Sequence, residues 1–160
     1  MSTAHPRPQP QPRQHPRPHK EHAPGVLNWA AADPLRAVLA AIAIITVFSG
    51  AAQIPFGGAI LQLIGAEPTP EAHQLFGTVG MFMVVVGGLL LHTLLNAVAS
   101  HEVVLWSGVQ KAGAFAAVGI GVLNGVFAPL ALTVAFFDLA TAVLCFIYWR
   151  GITVAGRVST

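Results

Sequence analysis

Asp138 is the side chain best placed to do chemistry, because it lies in the middle of an apolar run from Leu130 to Trp149. On insertion scales an ionised acid at the centre of a bilayer costs roughly 3 kcal/mol. Such an acid has to be protonated, paired with a cation or in contact with water. An acid in an apolar span is therefore a candidate functional group, and Asp138 is the first residue of our candidate site.

Lys111 is the basic residue that could pair with Asp138, since it also lies inside an apolar run. Counted from the connection between their two runs, the depths of these residues differ by about seven positions, or roughly 10 Å in a helix. We therefore expect Lys111 to extend its aliphatic stem towards the nearer membrane surface. A direct Lys111–Asp138 ion pair is the alternative.

We select four more polar side chains from the apolar runs: Ser49, Gln53, His92 and Asn124. Together with Asp138 and Lys111 they form the candidate intramembrane polar site. One interpretation collects Ser49, Gln53 and Asn124 around Asp138 in a pocket facing the outer side. The other, which we favour for all but Asp138, makes them isolated groups that hold helices together at roughly 0.6 kcal/mol each.

Motifs of catalysis and cofactor binding are missing from the sequence. There is no phosphate-binding glycine loop, no helix with paired zinc-binding histidines and no serine nucleophile elbow. A haem held between facing helices needs two histidines at one depth, and His92 is the sole mid-helix histidine. We therefore predict no catalytic residue, no metal site and no cofactor, and an enzyme is the less favoured reading.

Composition predicts the elements that position these residues. Of the 160 residues, 54% are hydrophobic and 9% are charged, whereas soluble domains carry about 25% charged residues. The predicted fold is an all-α integral membrane four-helix bundle over residues 34–150. Its spans are residues 35–54, 72–98, 104–126 and 130–149, each near the ~20 residues that cross a bilayer. Asp33 and Pro34 begin the first span, and Pro55 is expected to end it.

The two ends of the chain are polar and basic. Residues 1–33 alternate proline with arginine, glutamine and histidine, which predicts a disordered tail. Residues 151–160 form a short second tail. Basic residues, arginine or lysine, lie in both tails and at the adjoining ends of the first and fourth spans, whereas the connection after the first span carries Glu67 and Glu71. The positive-inside rule places both termini in the cytoplasm of a multi-pass inner (plasma) membrane protein. No folded basic face is available for nucleic acid.

Small residues predict how the helices pack. A strip at every fourth position of the third span consists of Gly113, Ala117, Gly121 and Gly125. We expect it to face a strip of the fourth span, Ala131, Ala135, Asp138 and Ala142. In the second span, Gly80, Gly87 and Gly88 predict another close contact. Ordinary packing within the bundle is favoured over a dimerisation motif.

Two stretches resemble the small four-helix DoxX-like membrane proteins. The first runs from Phe48-Ser49-Gly50 through Pro55 to Leu63-Ile64-Gly65, and the second comprises Leu75-Phe76-Gly77 with Gly80 and Gly87-Gly88. The resemblance covers about residues 34–149. Members of the wider group are associated with quinone-linked oxidoreductase complexes or act as helpers of partner proteins. The resemblance implies the architecture, and no catalytic residue is carried over.

Three functions are open from the sequence. The leading hypothesis is an accessory or scaffolding subunit that lies in the lipid bilayer. It would bind another membrane protein, or a second copy of itself, through its small-residue faces. The first alternative is an oxidoreductase-associated subunit, or one that handles quinones or lipids. The second is a small transporter that works as an oligomer.

Overall fold

The computed structural model describes residues 33–96 and 98–158, and the side chains up to residue 153. In this part of the chain there are four helices and no strand: α1 (Pro34–Leu63), α2 (Pro70–Leu95), α3 (His101–Leu123) and α4 (Ala131–Val158). All four are long and apolar enough to cross a membrane. The predicted all-helical class is thus confirmed. Apart from Asp33, the predicted N-terminal tail lies outside the described residues.

Side-chain caps begin the first three helices. The Asp33 carboxylate accepts a hydrogen bond from the Arg36 backbone N–H at 3.0 Å, and Pro34 follows as the first helical residue. Thr69 caps α2 in the same way, followed by Pro70, and Ser100 caps α3. Each cap satisfies a backbone donor that has no partner within the helix, so these local signals fix the helix starts.

The predicted end of the first helix at Pro55 is wrong, because α1 continues through this proline to Leu63. Proline removes one helical hydrogen bond, but the apolar residues after it keep helical geometry, and Ile64 N–H still donates to the Ile60 carbonyl at 3.0 Å. The chain turns instead at Gly65, whose positive φ of 78° suits glycine. Similarly, the short tail predicted over residues 151–160 is helical as far as Val158, because α4 continues beyond the predicted end at residue 149.

The four helices form two hairpins. In the first, α1 packs closely on α2, since a Cβ atom on Gly80 would lie 2.5 Å from the Gly50 carbonyl oxygen. Gly87 also approaches α1, with 3.1 Å from such an atom to the Val47 side chain. The predicted close contact is therefore confirmed at these two glycines. Gly88 has open space beside it and takes no part.

In the second hairpin, the predicted small-residue strip of α3 does not face α4. Gly113 and Ala117 are exposed, and Gly125 lies in the loop after α3. Gly121 is buried, but against the ring of Phe127 in that loop. Gly108 makes the close approach to α4, where an added Cβ would lie 3.1 Å from the Cβ of Cys145.

This correction has a physical reason. The side of α3 that is turned inward carries Ser107 and Lys111, whose polar groups need partners, and the small residues are left facing outward. The strip predicted on the fourth helix is buried throughout: Ala131, Ala135, Asp138 and Ala142.

The two hairpins touch each other at both ends of the bundle. At the end that contains the start of α1, a buried core joins all four helices: Leu39, Ala40, Ala43, Leu90, Leu94, Val104 and Cys145. Arg36 strengthens this end by donating to the backbone carbonyls of Leu94, in the last turn of α2, and of Asn96, which follows the helix. At the opposite end, Ala128 N–H donates to the Ile64 carbonyl at 2.7 Å. Between these two contacts the hairpins are less closely packed.

Candidate functional site

Lys111 and Asp138 form a buried ion pair near the middle of the bundle. The Lys111 ammonium donates to Asp138 Oδ1 at 2.6 Å, and the two residues are only 5% and 7% exposed. The expectation that Lys111 extends towards a membrane surface is therefore wrong, and the alternative of a direct pair is what the structure has.

The loop between α3 and α4 explains why the depths match. The backbone N–H groups of Val126 and Phe127 both donate to the Gly121 carbonyl, so the chain folds back by the end of α3. Phe127 thus lies at about the level of Gly121. Asp138 follows Phe127 by eleven residues and Lys111 precedes Gly121 by ten. At 1.5 Å per residue both reach nearly the same depth, which a count along the sequence could not reveal.

Other groups surround the pair. The Lys111 Nζ lies 5.8 Å from the centre of the Phe137 ring, within range of a cation–π interaction. Three buried hydroxyl residues line a small gap together with Lys111: Thr46, Ser107 and Thr141. Because the pair carries no net charge, it is far less costly to bury than either ion alone.

An apolar cavity of about 180 Å³ lies between the hairpins, with the ion pair at its inner end. Its walls come from all four helices and the α3–α4 loop, and include Ile60, Phe76, Val79, Met83, Ala114, Val118, Phe127 and Val134. Four polar residues complete the lining: Gln53, Gln110, Lys111 and Asp138. The cavity is therefore apolar in its body and polar at one end.

A second cavity, of about 320 Å³, lies on the other flank, between α1 and α4. It shares Gln53, Lys111 and Asp138 with the first, and Ser49 and Phe137 also line it. The same polar groups thus face both open flanks of the bundle.

Two glutamine side chains beside the ion pair have acceptors without donors. Gln53 Oε1 and Gln110 Oε1 are buried, and no hydrogen-bond donor reaches them within the described part of the chain. The amide nitrogen of Gln53 donates to the Met83 sulfur at 3.2 Å, which is a weak acceptor. An unsatisfied buried acceptor costs about 1–3 kcal/mol. These amides are therefore poorly explained as helix-joining groups.

The structure brings together only part of the predicted polar site. Asp138, Lys111 and Gln53 meet, and Ser49 lies at the exposed rim of the second cavity. Asn124 is excluded because it is the exposed residue that ends α3, where its N–H donates to the Ile120 carbonyl.

His92 is also exposed and lines neither cavity, since the residues after it, Thr93 and Leu94, occupy the buried face of α2. Sequence reasoning missed Gln110, Ser107 and Thr141. For Ser107 and Thr141 the spacing in the sequence could have placed them on the same helix face as the ion pair, because Ser107 precedes Lys111 by one helical turn and Thr141 follows Asp138 by three residues.

The arrangement can hold a polar group inside an apolar chamber. No group of three or more histidine, cysteine or acidic residues that could hold a metal ion occurs among the described residues.

The chain matches no family model, no curated protein and no solved structure. The resemblance to DoxX-like proteins therefore stays a prediction, and function has to be argued from the site itself.

Proposed function

We propose that this protein is an integral membrane protein that binds a small, largely apolar molecule from the lipid phase in the cavity between its hairpins. The observation that carries the proposal is the buried Lys111–Asp138 pair at the inner end of an apolar cavity, beside two amide oxygens without donors. An apolar pocket with a few converging polar groups is the usual form of a small-molecule site. The proposal takes up the quinone- or lipid-handling alternative of the sequence analysis.

The size of the cavity fits a small ring or a short chain. An engineered apolar cavity of about 150 Å³ in another protein takes up benzene, and the first cavity here has about 180 Å³. A ligand with a longer body can extend into the flank of the bundle, where the hairpins are less closely packed. Ring-sized molecules with an aliphatic substituent therefore match the space.

Access from the lipid phase follows from how the bundle is closed. The buried core blocks one end, and the Ile64–Ala128 hydrogen bond joins the loops at the other. In our proposal the four helices span the plasma membrane and both termini lie on its cytoplasmic side. The cavities then lie at mid-depth in the bilayer and open sideways onto the lipid. A ligand then arrives between helices from the membrane. This arrangement supports binding more than transport across the bilayer.

Extraction without detergent, followed by mass spectrometry, tests the proposal. Ala114→Trp fills the first cavity, whereas Ala117→Trp puts the same bulk on the exposed side of α3, one turn away. We expect a small apolar molecule to co-purify with the wild type and with Ala117→Trp, and to be lost from Ala114→Trp. Equal amounts in all three proteins, or none in the wild type, would contradict the proposal.

The accessory-subunit hypothesis retains one observation of its own. Gly113 and Ala117 are exposed on α3, with open space around Gly113. Small outward-facing residues allow a helix of another protein to approach closely. If a partner binds there, Gly113→Leu should remove it from the purified complex while Gly88→Leu, at an open position of α2, retains it. Retention by both variants would exclude this face.

A further inference from the structure

We infer that the polar end of the ligand is a neutral hydroxyl group, as in an alkylphenol or a ring alcohol. This inference rests on the proposed function, since it names the chemical class of the molecule in the same cavity. Three features of the polar end lead to it: two acceptors that need donors, one donor with hydrogens to spare, and a balanced charge.

The acceptors are the amide oxygens of Gln53 and Gln110. Both glutamines line the first cavity, and their two oxygens are buried and receive no hydrogen bond from the described residues. A ligand that only accepts hydrogen bonds, such as a ketone, an ester or an ether, leaves them unpaired. The occupant therefore has to bring an O–H or N–H donor.

The donor is the Lys111 ammonium. It has three hydrogens, and Asp138 Oδ1 is its one hydrogen-bond acceptor in the described part of the chain. A group that donates to one of the two glutamine oxygens and accepts from Lys111 at the same time fits both kinds of partner at this end. A hydroxyl does both with a single atom.

The charge of the site excludes a charged ligand. Lys111 and Asp138 neutralise each other at 2.6 Å, both largely buried among apolar walls. A carboxylate or an ammonium group brought into this space would be a third, uncompensated charge in a medium that solvates ions poorly. Neutral alcohols carry no such penalty. The site thus selects against fatty acids and amines.

Three probes that differ at one group test the inference: 4-butylphenol, its methyl ether 4-butylanisole, and 4-butylbenzoate. Each is titrated against the full chain in nanodiscs, and affinity is read from the concentration-dependent rise of the thermal midpoint. Ala114→Trp, whose cavity is filled, corrects for uptake by the lipid. Because one hydrogen bond contributes about 1 kcal/mol, we expect the phenol to bind roughly fivefold more tightly than the ether, with the benzoate weakest.

Gln53→Leu and Gln110→Leu show where the preference originates. Because the single hydroxyl proton is donated to one of the two oxygens, one of these variants, and the variant that carries both changes, should reduce the advantage of the phenol over the ether to about twofold or less, while the ether still binds. Equal affinities of phenol and ether for the wild type would show that water satisfies the amides, and the inference would be overturned. Tightest binding of the benzoate would overturn it as well. If no probe distinguishes the wild type from Ala114→Trp, the binding function itself fails.

Discussion

Separate and joint replacement of Lys111 and Asp138 tests whether the ion pair is as buried as its exposures of 5% and 7% indicate. At 2.6 Å and an effective dielectric constant of about 20, the attraction amounts to roughly 6 kcal/mol. Desolvation of the two ions, at several kcal/mol each, opposes it. The pair as a whole should therefore contribute little net stability, whereas each partner depends strongly on the other.

Three variants measure this dependence. Lys111→Met leaves a carboxylate without its cation, and Asp138→Leu leaves an ammonium group without its anion, so each should lower the free energy of unfolding by about 3–5 kcal/mol. The double variant removes both charges and keeps apolar volume in the site. It should lie within about 1 kcal/mol of the wild type, or be more stable.

Equilibrium unfolding in mixed detergent micelles, followed by far-ultraviolet circular dichroism, supplies the four free energies. The coupling energy from this cycle should reach at least about 5 kcal/mol, since the two single losses are not repeated in the double variant. Losses below about 1 kcal/mol in both single variants would mean that water surrounds the pair. Additive losses in the double variant would mean that the two residues do not depend on each other, and either result would refute the reasoning.

Three further predictions concern packing, stability and orientation. Gly80→Ala should lower the free energy of unfolding by about 1–3 kcal/mol, because the new Cβ would lie 2.5 Å from the Gly50 carbonyl oxygen. Gly88→Ala, which has open space beside it, should be neutral or stabilising in the same detergent unfolding assay. Equal effects of the two changes would contradict the close contact of α1 and α2. Gln53→Leu should leave the ligand-free protein at least as stable as the wild type, since it removes an acceptor without a donor, and a clear loss in calorimetry would assign this side chain a structural role. In intact cells, cysteine at Glu67 should react with an impermeant thiol reagent and cysteine at position 6 should not; the reverse pattern would invert the proposed orientation.

Local signals in the sequence were sufficient to predict that the chain forms four helices. Apolar runs predicted four helices, and the cap at Asp33 predicted the start of the first, since a cap depends only on residues within one turn. The predicted end of α1 was wrong because there the local signal did not decide the structure. Pro55 is a strong local signal against a helix, yet the chain around it continues helically to Leu63. The helical hydrogen bond lost at Pro55 leaves the residues on either side in helical geometry.

Packing and the site depended on geometry that no local signal contains. The strip of Gly113 and Ala117 was a sound pattern, but a pattern does not state which way a helix is rotated about its axis. That rotation follows from the polar side of α3, where Lys111 has to reach an anion. The depth of the pair likewise depended on the loop at Phe127, which folds back along α3. Both errors thus arise from long-range contacts.

The polar groups of the bundle differ in what they do for stability, and this difference bears on function. Arg36 and Ser100 satisfy backbone groups at helix ends, so their presence is explained by the fold alone. The buried side-chain oxygens of Gln53 and Gln110 receive no hydrogen bond from the described residues. An apolar side chain at either position would avoid a penalty of about 1–3 kcal/mol. Local choices that conflict with stability are characteristic of functional sites. Of the four buried polar atoms without a hydrogen-bond partner among the described residues, the two glutamine oxygens belong to residues of one cavity, beside an ion pair that is itself a weak source of stability. The other two, Thr46 Oγ1 and Trp149 Nε1, belong to residues that do not line it.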